Sequence, residues 1–113
     1  GAAQAELTHL MCKRLGYRSR LVVFGKPRVF LKPSRVRFKK GSVFSVVNSS
    51  DLVTRLPRFL YTVGCSGQNL FYLCSDETSY LNPDMDFVHK DFKLTRAIKD
   101  HSMKGYLQRL SSL

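Results

Sequence analysis

Nine cations stand between positions 18 and 40 with no acid among them: Arg18, Arg20, Lys26, Arg28, Lys32, Arg35, Arg37, Lys39 and Lys40. Guanidinium and ammonium groups only donate hydrogen bonds, and their strongest acceptors are phosphate and carboxylate oxygens. On one side of an extended strand such side chains lie about 6.6 Å apart, and duplex nucleic acid carries a charge about every 1.7 Å of axis, so several phosphates could be met together. Aromatic residues interleave with the charge. Tyr17, Tyr61 and Tyr72 tolerate one wet end and are candidates to stack on unpaired bases, whereas Phe24, Phe30, Phe38 and Phe44 read as core.

Other constellations carry less chemistry. His9 and Cys12 are three apart on a helical pattern, and Cys65 with Cys74 would have to complete a zinc site; that pair lacks the close spacing of metal-binding cysteines, and free Cys commonly packs as a small hydrophobe. Asp84, Asp86, His89 and Asp91 have the right atoms for a divalent ion, but an acidic loop that balances part of the basic face accounts for them more simply. Gly64-Cys65-Ser66-Gly67 is too short for a phosphate loop and lacks the Lys that would follow. No Ser, Cys or Thr lies in a recognisable nucleophile elbow, so catalysis would require residues distant in sequence to converge. No catalytic residue, metal ligand or cofactor is assigned, and the chain reads as a binding module rather than an enzyme.

Secondary structure must place the cations. Leu7, Leu10, Met11 and Leu15 recur at helical spacing, Lys13 and Arg14 suit the negative end of a helix, and Gly16 supplies a left-handed stop, which predicts a helix over 3–15. Short β-rich runs follow at 21–24, 29–31 and 43–47, separated by Gly25-Lys26-Pro27, Lys32-Pro33-Ser34 and Lys39-Lys40-Gly41-Ser42. Arg35-Val36-Arg37-Phe38-Lys39 alternates strictly, as a strand with one dry and one positive side would. Asn48 to Asp51 offers N-caps for a helical turn ending before Pro57, and 59–63 with 70–74 reads as a hairpin. Residues 75–93 hold five of the eight acids without a clean period and read mostly as loop. Leu94, Ile98, Met103, Leu107, Leu110 and Leu113 trace a final helix, with Thr95 as its cap and Gly105 as a kink or break.

The 113 residues suit a single domain over 1–113 with an ample core, since 43% are hydrophobic. Opening on Gly1-Ala2-Ala3, the chain is expected to be excised from a larger protein. Three cysteines leave one unpaired and favour a reducing compartment, and no apolar run approaches bilayer length, so a soluble intracellular protein, nuclear or cytoplasmic, is expected. The expected fold is α+β: an N-terminal helix, an antiparallel sheet or small open barrel of five to six strands, and a C-terminal helix. The first 47 positions carry eleven cations and one acid, Glu6, which is +10 of a net +11. Such segregation predicts one electropositive face and a polyanionic partner, nucleic acid first and RNA ahead of DNA. The same face would equally suit an acidic lipid or an acidic protein partner, and segment 76–91 could dock on the basic face of another copy.

Overall fold

The computed structural model describes residues 1–31, 35–57, 61, 67–74, 76 and 78–113, the side chains of Met85, Asp86, His89 and Leu94 excepted. Lys32, Cys65, most of the expected strand 59–63, and the side chains of Asp86 and His89 therefore lie outside the described residues.

Four strands form one open sheet in the order β1 (Leu21–Phe24), β2 (Val43–Asn48), β3 (Gln68–Leu73) and β4 (Ser79–Leu81). The β1–β2 and β2–β3 pairings are parallel and only β3–β4 is antiparallel. Val23 lies opposite Ser45, and Val47 opposite Tyr72, which in turn faces Tyr80. Parallel neighbours need long crossovers, and the connections here, residues 25–42 and 49–67, supply them. Strands covered on both faces read as near-continuous apolar runs, which is how Leu21–Phe24 and Val43–Val47 read.

Helix α1 (Ala2–Arg14) closes at Leu15, and Gly16 follows at φ +84°. Its buried face is not the expected Leu stripe: Leu7, Met11 and Leu15 are exposed, while Ala2, Ala5 and Leu10 pack on Leu21, Val23 and Val43. Small side chains let a helix lie close to a sheet, so the alanines take the contact. On the same face Val88 of α2 (Met85–Lys90) joins Val47 and Tyr72. The opposite face sets Val46 and Leu73 against Tyr106 of α4 (Met103–Ser111), with Phe24, Phe44, Phe71 and Leu110 around them. A short helix, α3 (Ala97–His101), precedes α4.

The α+β organisation of N-terminal helix, open sheet and closing helices is as expected. Among the described residues the sheet differs in having four strands and in being mostly parallel, because the segments that resembled strands with tight turns form the β1–β2 crossover. There Leu31 contributes a single bridge, to Tyr61. Arg35 to Lys39 forms no strand beyond an isolated bridge at Arg37, yet Arg35, Arg37 and Lys39 are exposed while Phe38 is buried, so the alternation in the sequence reports burial correctly. Segment 75–93 is not simply loop, since β4 and α2 arise within it. The last helix breaks at Ser102 rather than Gly105. Gly105 lies within α4, where a Cβ would come 2.4 Å from the Lys99 carbonyl oxygen, so the glycine admits the close approach of α3.

Candidate active site

Three residues beyond β2 the chain buries a carboxylate completely: Asp51 has no solvent exposure. A buried carboxylate is tolerated only where donors meet it. Val53 N–H donates to Oδ1 at 3.0 Å, making Asp51 the N-cap of a 3-10 turn over Leu52–Arg55. The Tyr106 hydroxyl donates to Oδ2 at 2.6 Å and accepts from Asn48 N–H at 3.2 Å. Burial first, and then the bond to Asp51, push the Tyr106 phenol far above the usual tyrosine range, so it keeps its proton. The third donor is His101, whose Nδ1 lies 3.0 Å from Oδ1 and 3.1 Å from Oδ2.

Asp51 and His101 are 50 positions apart and meet only because α3 is latched to the end of β2. Asp100, 2% exposed, accepts from Ser50 N–H at 2.9 Å and from Arg109 Nη2 at 2.8 Å, and Asn48 Nδ2 donates to the Asp100 carbonyl at 2.9 Å. Arg109 also reaches the Leu73 carbonyl at the end of β3, at 2.8 Å. Ser102 then caps α4, its Oγ accepting from Gly105 N–H at 3.0 Å. With Nδ1 donating to the carboxylate, Nε2 is the ring's free basic nitrogen; the His101 side chain is 48% exposed, and Nε2 has no hydrogen-bond partner among the described residues. A buried carboxylate that orients a half-exposed imidazole is the arrangement that the acid and base of a nucleophilic triad adopt.

The pair lies at the carboxyl edge of the parallel strands, where open α/β sheets bind ligands. Gly25, directly after β1, turns there at φ +62°, and a Cβ on it would stand 2.6 Å from Asp51 Oδ2 and 3.1 Å from the Tyr106 hydroxyl. Helix α1 returns antiparallel to β1 through the short segment 15–20, so its first turns lie at this same edge. The buried ion pair between Glu6 and Lys26, 2.7 Å long, fixes them there. Neighbouring serine hydroxyls are engaged elsewhere: Ser50 accepts from Lys93 N–H at 2.9 Å, Ser49 accepts from Arg109 at 3.4 Å, and Ser102 caps α4.

The cations expected on one face divide. Arg18, Arg20, Lys39 and Lys40 are exposed and, with Lys13 and Tyr17, line a cavity of about 610 Å³ at the opposite, amino edge of β1 and β2. Arg35 and Arg37 are exposed outside it. Lys26 and Arg28 are buried, Lys26 because it neutralises Glu6. Tyr61 is half-buried, and Tyr72 is fully buried with its hydroxyl donating to the Ser49 carbonyl at 3.2 Å, so its ring is core and not a stacking platform. His9, to which the sequence assigns no metal role, contacts Ser19 Oγ at 2.6 Å and Ser42 Oγ at 3.4 Å. Among the described residues no three metal-ligating side chains gather, and no helix is long and apolar enough to cross a membrane.

In the sequence Asp51 stands out only as a capping residue, and no short-range pattern marks His101. The available signal was positional: an acid just past a continuous apolar run, which marks the carboxyl end of a parallel strand. Residues 1–61 match the family model described as Lipase (class 3). Comparison with curated proteins and with solved structures found no match. The family match overturns the expectations of a nucleic-acid-binding module and of a chain without catalytic function, and it points to a hydrolase.

Proposed function

Since the chain belongs to the class 3 lipase family, we propose that it forms part of a serine hydrolase of carboxylic esters, in which Asp51 and His101 are the acid and base of a Ser-His-Asp triad. The observation that carries this reading is His101 Nδ1 held 3.0 Å from the buried Asp51 Oδ1 with Nε2 unengaged. In α/β-hydrolases the triad follows the chain order Ser, Asp, His, and the serine sits on a strand-to-helix turn. Asp51 precedes His101, and α1 precedes both with its first turn at the site's edge. The nucleophile then belongs to the residues that lead into α1 in the whole protein. A strand before them, crossing over through α1 in the right-handed sense, would pair parallel with the outer edge of β1, which has no neighbour among the described residues.

His101 Nε2 takes the serine proton as Oγ attacks the ester carbonyl carbon, and Asp51 stabilises the imidazolium that forms. The imidazolium returns this proton to the departing alcohol as the C–O bond breaks, leaving an acyl-serine. Water, activated by the same nitrogen, then releases the acid. Ile98 is 91% exposed and Met103 58% exposed, on either side of His101 in sequence, which suits a substrate with an apolar acyl chain.

The test is hydrolysis of p-nitrophenyl esters by the full-length protein, alongside labelling by a fluorophosphonate. Asp51→Asn removes the acceptor that fixes the His101 tautomer and should lower kcat by about 10⁴, and His101→Ala should abolish fluorophosphonate labelling. Unchanged turnover in a folded His101→Ala protein would refute the proposal.

A further inference from the structure

At the end of the sheet remote from Asp51 and His101, three separate segments bring Lys13, Arg18, Arg20, Lys39 and Lys40 to the rim and walls of one cavity of about 610 Å³. That volume lies within the usual range for small-ligand sites, roughly 300–1,000 Å³. Among the described residues no acidic side chain lines the cavity. Arg18, Arg20, Lys39 and Lys40 form no ion pair with a described carboxylate, whereas buried Lys26 does. Drawing five like charges together works against folding unless something of opposite sign repays it.

The walls are built rather than incidental. His9 is 6% exposed, is held between the hydroxyls of Ser19 and Ser42, and packs its ring 5.0 Å from that of Phe38. Lys13 is positioned by donating to the Arg37 carbonyl oxygen, which ties the end of α1 to the crossover. The two arginines offer forked donors that match phosphate oxygens, and the lysines add point charges. The 13 residues of α1 span about 20 Å and separate this cavity from the proposed catalytic edge, so its occupant is not the ester being cleaved.

We propose that this cavity binds a ligand bearing clustered phosphate groups, as a second site independent of ester hydrolysis. The shared chemistry is the phosphate cluster, which a soluble oligophosphate or a phosphoinositide headgroup would both supply.

Calorimetric titration of the full-length protein with sodium tripolyphosphate at about 0.15 M salt, where long-range attraction between exposed charges is largely screened, tests the site directly. Saturable one-to-one binding is expected. Binding should weaken about tenfold or more in Arg18→Gln/Arg20→Gln and in Lys39→Gln/Lys40→Gln, and stay unchanged in Lys104→Gln, an exposed cation on α4. Flotation with phosphatidylcholine vesicles carrying a phosphoinositide bisphosphate then separates the sources: retention that tripolyphosphate competes away assigns a lipid headgroup, and no retention assigns a soluble ligand. None of these exposed substitutions should lower the circular-dichroism melting temperature, since removing like charge from the cluster only relieves repulsion. Absence of saturable tripolyphosphate binding, or binding indifferent to both double variants, would overturn the proposal. So would equal retention on phosphatidylserine vesicles of the same charge density. None of these readouts uses ester turnover, so the site stands or falls apart from the hydrolase reading.

Discussion

Tyr106→Phe separates the hydroxyl's role in holding Asp51 from the ring's role in the core. The ring is 1% exposed and lies edge-on to Phe24 at a centroid distance of 5.9 Å, a contact phenylalanine keeps, so no cavity opens. Two hydrogen bonds are lost: the 2.6 Å donation to Asp51 Oδ2, and the 3.2 Å acceptance from Asn48 N–H. A bond to a charged group is worth about 1.5–3 kcal/mol, and stranding a buried donor costs about 1–3 kcal/mol. Because both act through one oxygen they do not simply add, and a loss of about 3–4 kcal/mol is expected. Asp51 keeps the Val53 donor, but its second oxygen becomes free to rotate with His101, and kcat should fall about tenfold as the imidazole loses its fixed aim. Denaturant titration and ester kinetics on the full-length protein measure both effects. Loss of stability under 1 kcal/mol with unchanged kcat would show that the phenol does not position Asp51.

Lys26→Met leaves Glu6 buried without its cation and should destabilise by about 3–5 kcal/mol, whereas Glu6→Leu/Lys26→Met together should lie close to wild type; denaturant midpoints with unchanged m-values decide it. His9 is held below the usual histidine range, chiefly by burial, so the unfolded chain takes up a proton on acidification before the folded one does. Its contribution to stability is therefore complete above the unfolded value near 6.5 and is lost as pH falls through the lower folded one, and His9→Gln should remove that part of the slope in stability measured across this acid range.

The sequence made the local chemistry legible wherever neighbours in the chain determine it. Helix α1, strands β1 and β2, the Asp51 cap and the alternating burial of Arg35 to Lys39 all follow from spacing or side-chain type. Strand direction was not legible, because Gly25-Lys26-Pro27 reads as a tight turn whether or not a hairpin follows, and only the 18 residues between β1 and β2 allow a parallel return. Cations that are neighbours in sequence do not share one environment. Lys26 and Arg28 resemble their neighbours in sequence, but Lys26 faces inward because Glu6 waits there, and a lone acid in a basic region is as informative as the cations around it. The candidate site was hidden for a different reason. Asp51 and His101 are brought together by Asp100, Arg109 and Tyr106, and none of these contacts is implied by any short-range pattern.

Among the described residues no strand pairs with the outer side of β1, which presents a short row of backbone amides and carbonyls beside Val22, itself 59% exposed. Such a border is a template, and whatever first lies along it completes the ladder.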